Sequence, residues 1–142
     1  ILRDFVQNKD LPEIYRESCL FVLPSLEEGV PRTILEAMAC GVPVACTELP
    51  QLIEIVSGCG LLFPLRDPEA LAAALSTLVS DPEMVRTCGK NGRERVVSMY
   101  SWNDTVSKTL NLYASLTEDR AANKPRESVK PVSGVSSPGE AK

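Results

Sequence analysis

The chain has 142 residues, a net charge of −4 at neutral pH and no histidine. Its length suits one domain, and its acidic balance argues against a broad nucleic-acid surface, which needs a basic footprint. No apolar run approaches the roughly 18 residues that cross a bilayer. The five cysteines, odd in number and without a Cys-x-x-Cys pair, read as reduced core thiols rather than a disulfide framework or a zinc site. Because the first residue is Ile1 rather than methionine, a fragment or processed product is expected. No secretory signal is visible, which makes the cytoplasm the default location.

Taken in order, Leu11 to Ser18 reads as a short helix with Pro12 near its start, and Cys19 to Leu23 as a short strand buried on both faces. Pro24 to Val30 is a loop. Pro31 opens a helix that runs to about Ala39 and is ended by Gly41 in the manner of a C-terminal cap. A second strand follows at Val42 to Cys46, a brief helix at Gln51 to Val56 and a third strand at Gly60 to Phe63. Two Asp-Pro-Glu starts, at Asp67 and Asp81, pair a capping side chain with a first-turn proline and a glutamate that suits the helix dipole.

The first of those helices runs from Pro68 to Val79; the second, from Pro82 to about Met99, is expected to be broken or strained near Gly89 and Gly92. It also carries Arg86, Lys90, Arg93 and Arg95, read as a solvated face, with attraction to an anionic membrane surface as the alternative. Ser101 with Asp104 resembles a capping box and starts a last helix to about Leu116, on which Val106, Leu110, Tyr113 and Leu116 recur at helical spacing. Residues 121–142 hold three prolines, two glycines, four serines and no aromatic residue, which predicts a disordered tail after a folded body of residues 1–120. The alternation implies an α/β fold, a Rossmann-like parallel sheet with flanking helices. With only three or four strands, the sheet is expected to be incomplete on its N-terminal side.

In such sheets ligands bind at the carboxyl ends of the strands, where loops enter helix N-termini. The strand ending at Leu23, the loop to Val30 and the helix from Pro31 make one such place. A helix start offers unpaired N–H groups and a positive dipole end to phosphate oxygens. Pro31 has no N–H, so the donors are those of Val30, Arg32 and Thr33. Carboxylates suit sugar hydroxyls instead. Glu28 and Glu36, on either side of the helix start, therefore suit a nucleotide sugar, with hydroxyls at both ends of a diphosphate.

The string Pro24-Ser25-Leu26-Glu27-Glu28-Gly29-Val30-Pro31-Arg32-Thr33-Ile34-Leu35-Glu36-Ala37-Met38-Ala39-Cys40-Gly41-Val42-Pro43-Val44 resembles the signature of family 4 glycosyltransferases, which have two Rossmann-like domains (the GT-B type). The resemblance extends over nearly all of residues 1–117 and points to part of the C-terminal, donor-binding domain. It implies a retaining enzyme that needs no metal or other cofactor. Glu28 would lie near the reacting sugar carbon, as the catalytic residue. Glu36 would accept hydrogen bonds from the ribose, and Gly29, Val30, Arg32 and Thr33 would meet the sugar and the diphosphate. The segment from Phe5 to Gln7 would help choose the base, uridine being the commonest in such enzymes. The acceptor would sit on a separate N-terminal domain, and peripheral membrane association of the parent is compatible with this reading.

Two departures stand out. Many relatives have Phe-Gly at Val30-Pro31, and a Gly-Gly pair at Pro50-Gln51 ahead of Glu54, which reads here as a helix-cap or surface residue. The competing function is a non-catalytic nucleotide-sugar-binding or interaction module derived from such an enzyme. Alone, the chain is expected to be inactive and, with an unpaired sheet edge, to self-associate.

Overall fold

In the computed structural model, which describes residues 5–122, helices and strands alternate along the chain. Helix α1 (Leu11–Glu17) leads to β1 (Phe21–Leu23), α2 (Arg32–Ala39), β2 (Val44–Thr47), α3 (Pro50–Val56) and β3 (Gly60–Phe63). Three helices follow: α4 (Pro68–Ser80), α5 (Pro82–Met99) and α6 (Trp102–Ala122). The strands form one parallel sheet in the order β1-β2-β3, with Phe21 opposite Val44 and Val44 opposite Gly60. This is the expected α/β, Rossmann-like architecture. Among the described residues two compact units are distinguished, divided between Thr105 and Val106.

In the first unit the central strand β2 is buried along its whole length. Successive strand residues face opposite sides of a sheet, and β2 accordingly feeds two cores. Val44 and Cys46 pack with Ile34 and Met38 of α2 and with Leu52 and Val56 of α3. Ala45 packs with Phe63 and with Ala74 and Leu78 of α4. Burial pushes the Cys46 thiol up to about 12, as suits an inert core cysteine. All five cysteines are free, but Cys19 is exposed rather than in a core.

Several element ends differ from expectation for local reasons. Strand β2 starts at Val44 rather than Val42, because Val42 N–H closes the C-terminal cap of α2 on Ala37 O at 3.0 Å and Pro43 has no N–H. With Gly41 N–H on Met38 O at 2.9 Å and Gly41 at φ +78°, this is a Schellman motif. Strand β1 starts at Phe21, whose N–H meets Pro43 O at 2.9 Å. Pro31 occupies the N-cap of α2 rather than its first turn.

Both aspartate caps form: Asp67 Oδ1 accepts from Ala70 N–H at 2.8 Å, and Asp81 Oδ1 from Glu83 and Met84 N–H at 3.0 and 2.9 Å. Helix α5 is continuous, so the expected break at Gly89 and Gly92 does not occur. Both glycines are instead contact points on α2. A Cβ at Gly89 would lie 2.2 Å from Gly41 O, and one at Gly92 would lie 3.4 Å from Met38 Cγ.

The basic residues of α5 also depart from a simple solvated face. Arg86 pairs with Glu83, and Lys90 with Glu94 at 3.9 Å. Arg93 donates to Ala39 O, while Arg95 donates to Ile55 O at 2.9 Å and Ser57 O at 2.7 Å. Two of the four thus satisfy carbonyls left over at the ends of α2 and α3.

Helix α6 begins as expected, with Asp104 N–H donating to Ser101 Oγ at 3.1 Å. Its later part belongs to the second unit, where Val106, Leu110, Tyr113 and Leu116 are exposed. Of the predicted tail, residues 121–142, Ala121 and Ala122 instead belong to α6, and the remainder lies outside the described residues. Among the described residues no helix is long and apolar enough to cross a membrane.

Candidate functional site

The site lies where β1 ends and α2 begins. Helix α2 buries Ile34, Ala37 and Met38, so Arg32, Thr33 and Glu36 lie on its outer side. No side chain caps its N-terminus, since Pro31 has no polar group to offer. The first-turn N–H groups of α2 are those of Arg32, Thr33 and Ile34. Gly29 and Val30, just ahead, are exposed, and a Cβ at Gly29 would meet nothing within 4 Å. The backbone there is open to a ligand.

Glu28 is half-buried and is held once by its side chain and once by its backbone, in a loop that Thr47 also ties down. Its Oε1 accepts from Ser25 Oγ at 2.6 Å. The Ser25 carbonyl accepts from the buried Thr47 Oγ1 at 2.6 Å, which ties the loop to the end of β2. Gln51, at the start of α3, donates its side-chain amide to the Glu28 carbonyl. Gln51 is one of the two residues at which the sequence departs from the Gly-Gly pair of the resembled signature, and the departure supplies this contact. Nothing in the spacing of Ser25, Thr47 and Gln51 announced that they converge.

Glu36 lies one helical turn on from Arg32. Its Oε2 accepts from Tyr15 Oη at 3.2 Å, and its Oε1 is 3.7 Å from Arg32 Nη2. Burial, with the Glu36 charge and hydrogen bond adding to it, pushes the Tyr15 phenol up to about 12. A cavity of about 240 Å³ opens beside this group, lined by Asn8, Leu11, Tyr15, Arg32, Glu36 and Cys40. Glu54 is exposed on α3, as a surface residue.

The predicted residues Glu28, Gly29, Val30, Arg32, Thr33 and Glu36 therefore share one strand-loop-helix unit at the carboxyl end of the sheet. The family model described as glycosyl transferases group 1 matches residues 1–81. The chain belongs to the group 1 glycosyltransferases. Among the relatives of this glycosyltransferase chain, the O-antigen chain mannosyltransferase B of Escherichia coli is 34% identical over 112 residues, 79% of this chain and 29% of that protein. Among solved structures, sucrose-phosphate synthase from Thermosynechococcus elongatus is 35% identical with a TM-score of 0.76, over 80% of this chain and 29% of that one. The Anabaena protein HepE, solved in complex with UDP, is 25% identical with a TM-score of 0.66, over 72% of this chain and 30% of its own. These neighbours have the GT-B fold, and the chain spans less than a third of each of their lengths.

Proposed function

We propose that this chain is the donor-binding part of a retaining glycosyltransferase, which takes a sugar from a nucleotide sugar and passes it to an acceptor on a separate N-terminal domain. The observation that carries this reading is the placing of Glu28 and Glu36 on either side of the uncapped N-terminus of α2, in a chain of this family. The N–H groups of Arg32 and Thr33 meet the diphosphate, whose charge suits the dipole of α2. Glu36 accepts from the ribose hydroxyls. Glu28 positions the sugar and steadies the charge that develops as the bond to the diphosphate breaks. Pro31 offers no N–H, so the sugar is oriented by Glu28 and the open backbone at Gly29 and Val30. The diphosphate is neutralised without a metal.

Uridine is the base that a UDP-bound neighbour supports best. Phe5, Val6 and Gln7, the segment expected to help choose it, line an open cavity of about 730 Å³ with Asp10, Glu13 and Ile14. The test is calorimetric titration of UDP, GDP and ADP, each with its sugar-linked form, into the full-length protein that carries this chain. It is run with and without Mg²⁺, beside Glu36→Ala. Metal-independent binding of one nucleotide, weakened in Glu36→Ala, is the expected result. A folded protein that binds none of them would instead be a non-catalytic module.

A further inference from the structure

Glu36 sits half-buried on the outer side of α2 with a cation one turn before it, and that cation does not by itself fix the carboxylate. Arg32 and Glu36 are an i, i+4 pair with the base on the N-terminal side, the weaker orientation. The Arg32 side chain is 80% exposed, so the pair is largely solvated and holds neither group in one place. Tyr15 is a different kind of partner. Its ring is packed on the α2–α3 core and meets Phe21 of β1 edge to face, with centroids 5.9 Å apart and planes at 66°. The hydroxyl on that anchored ring donates to Glu36 Oε2 across 21 residues of sequence. One carboxylate oxygen is thus held by a ring anchored on the core, and the other lies 3.7 Å from the exposed Arg32 Nη2.

We infer that Tyr15 is a positioning residue for nucleotide recognition: it holds Oε2 of Glu36 and so fixes the carboxylate, leaving Oε1, whose contact with Arg32 is long and solvated, to accept from the ribose. This rests on the donor-site reading of Glu36 given above. The phenol is suited to the task. It carries no charge to compete with Arg32, its ring cannot follow a mobile partner, and burial beside the carboxylate keeps its proton on well above neutral pH.

The test uses the full-length protein, titrated with UDP, GDP and ADP, with Tyr15→Phe, Glu36→Ala, the double variant and Tyr15→Leu. Tyr15→Phe keeps the ring on Phe21 and removes only the hydroxyl. It is expected to weaken binding of the preferred nucleotide about three- to tenfold, the range of one ordinary net hydrogen bond, because the Glu36 carboxylate itself remains to meet the ribose. The donor KM should rise with kcat within about twofold, because the ribose is held alike in ground and transition states. In the Glu36→Ala background Tyr15→Phe should have no further effect on binding. A thermal melt unchanged in Tyr15→Phe but lowered in Tyr15→Leu separates the hydroxyl from the packing. Weakened binding in Glu36→Ala with unchanged binding in Tyr15→Phe overturns this inference alone. Equal losses from Tyr15→Phe with and without Glu36 also overturn it. No nucleotide binding by the unaltered protein, or binding not weakened in Glu36→Ala, overturns the donor site and the inference with it.

Discussion

Glu28 and Glu36 are the same side chain in two settings, and the settings separate their tasks. Glu28 is half-buried in a loop latched by Ser25, Thr47 and Gln51, whereas Glu36 stands on a helix surface with one neutral and one cationic partner. A rigid carboxylate suits the reacting end of a donor, where small displacements are costly. Glu36→Ala should therefore weaken nucleotide binding about 10- to 100-fold while leaving kcat little changed. Glu28→Ala should lower kcat with the donor KM nearly constant, and steady-state kinetics at varied donor separates the two. Loss of binding alone from both substitutions would remove the role given to Glu28. Ser25→Ala removes the hydroxyl on Glu28 but spares the Thr47 contact, which goes to the Ser25 backbone. It should reduce kcat about tenfold with an unchanged melt.

Among the elements, α2 and α5 show how two glycines on one helix can have opposite meanings. At Gly89 the neighbour is backbone, the Gly41 carbonyl in the cap of α2, and it cannot move without unmaking that cap. Gly89→Ala should cost about 2–3 kcal/mol. Gly92 faces the Met38 side chain at ordinary contact distance, and Met adapts. Gly92→Ala should be neutral or stabilising by up to about 1 kcal/mol through helix propensity. Urea denaturation followed by circular dichroism checks both, and similar losses at the two positions would contradict this account of the packing. Arg95 adds to the same junction by donating to the Ile55 and Ser57 carbonyls at the end of α3. The residues read as a solvated basic face are partly structural.

On the scale of the molecule, the sheet has β2 in its middle and β1 at one margin. The three residues of β1 are half-buried, whereas all four of β2 are buried. Among the described residues no strand pairs with the outer edge of β1, and an open edge is a template for pairing with another chain. Phe5, Leu26 and Val30 add exposed apolar side chains. The 142-residue chain by itself should therefore self-associate in a concentration-dependent way, seen by sedimentation velocity. A single monomeric species that melts cooperatively would show that the edge needs no partner.

The starts of α4, α5 and α6 and the stop of α2 were legible without a structure because their causes are local: Asp67, Asp81 and Ser101 cap the residues just after them, and Gly41 takes the positive φ of its cap, whereas α6, expected to end near Leu116, runs to Ala122. So was the pairing of Glu28 with Glu36 around one helix start, since nine residues of loop and helix carry both. The start of β2 was misplaced by two residues because a strand begins where ladder bonds can form, and Val42 N–H was already engaged by α2.

What the sequence by itself determined is the order of elements, the parallel α/β class, the family and the strand-loop-helix unit that holds the candidate site. The tertiary structure alone decided which distant side chains hold that site: Tyr15 on Glu36, Thr47 on Ser25 and Gln51 on the Glu28 loop. It also decided that Gly89 and Gly92 serve helix contact rather than a helix break. The physical reason is range. Capping, dihedral preference and hydrophobic period act within a turn or two of chain, whereas contacts across 21 to 23 residues exist only once the sheet has brought its helices together.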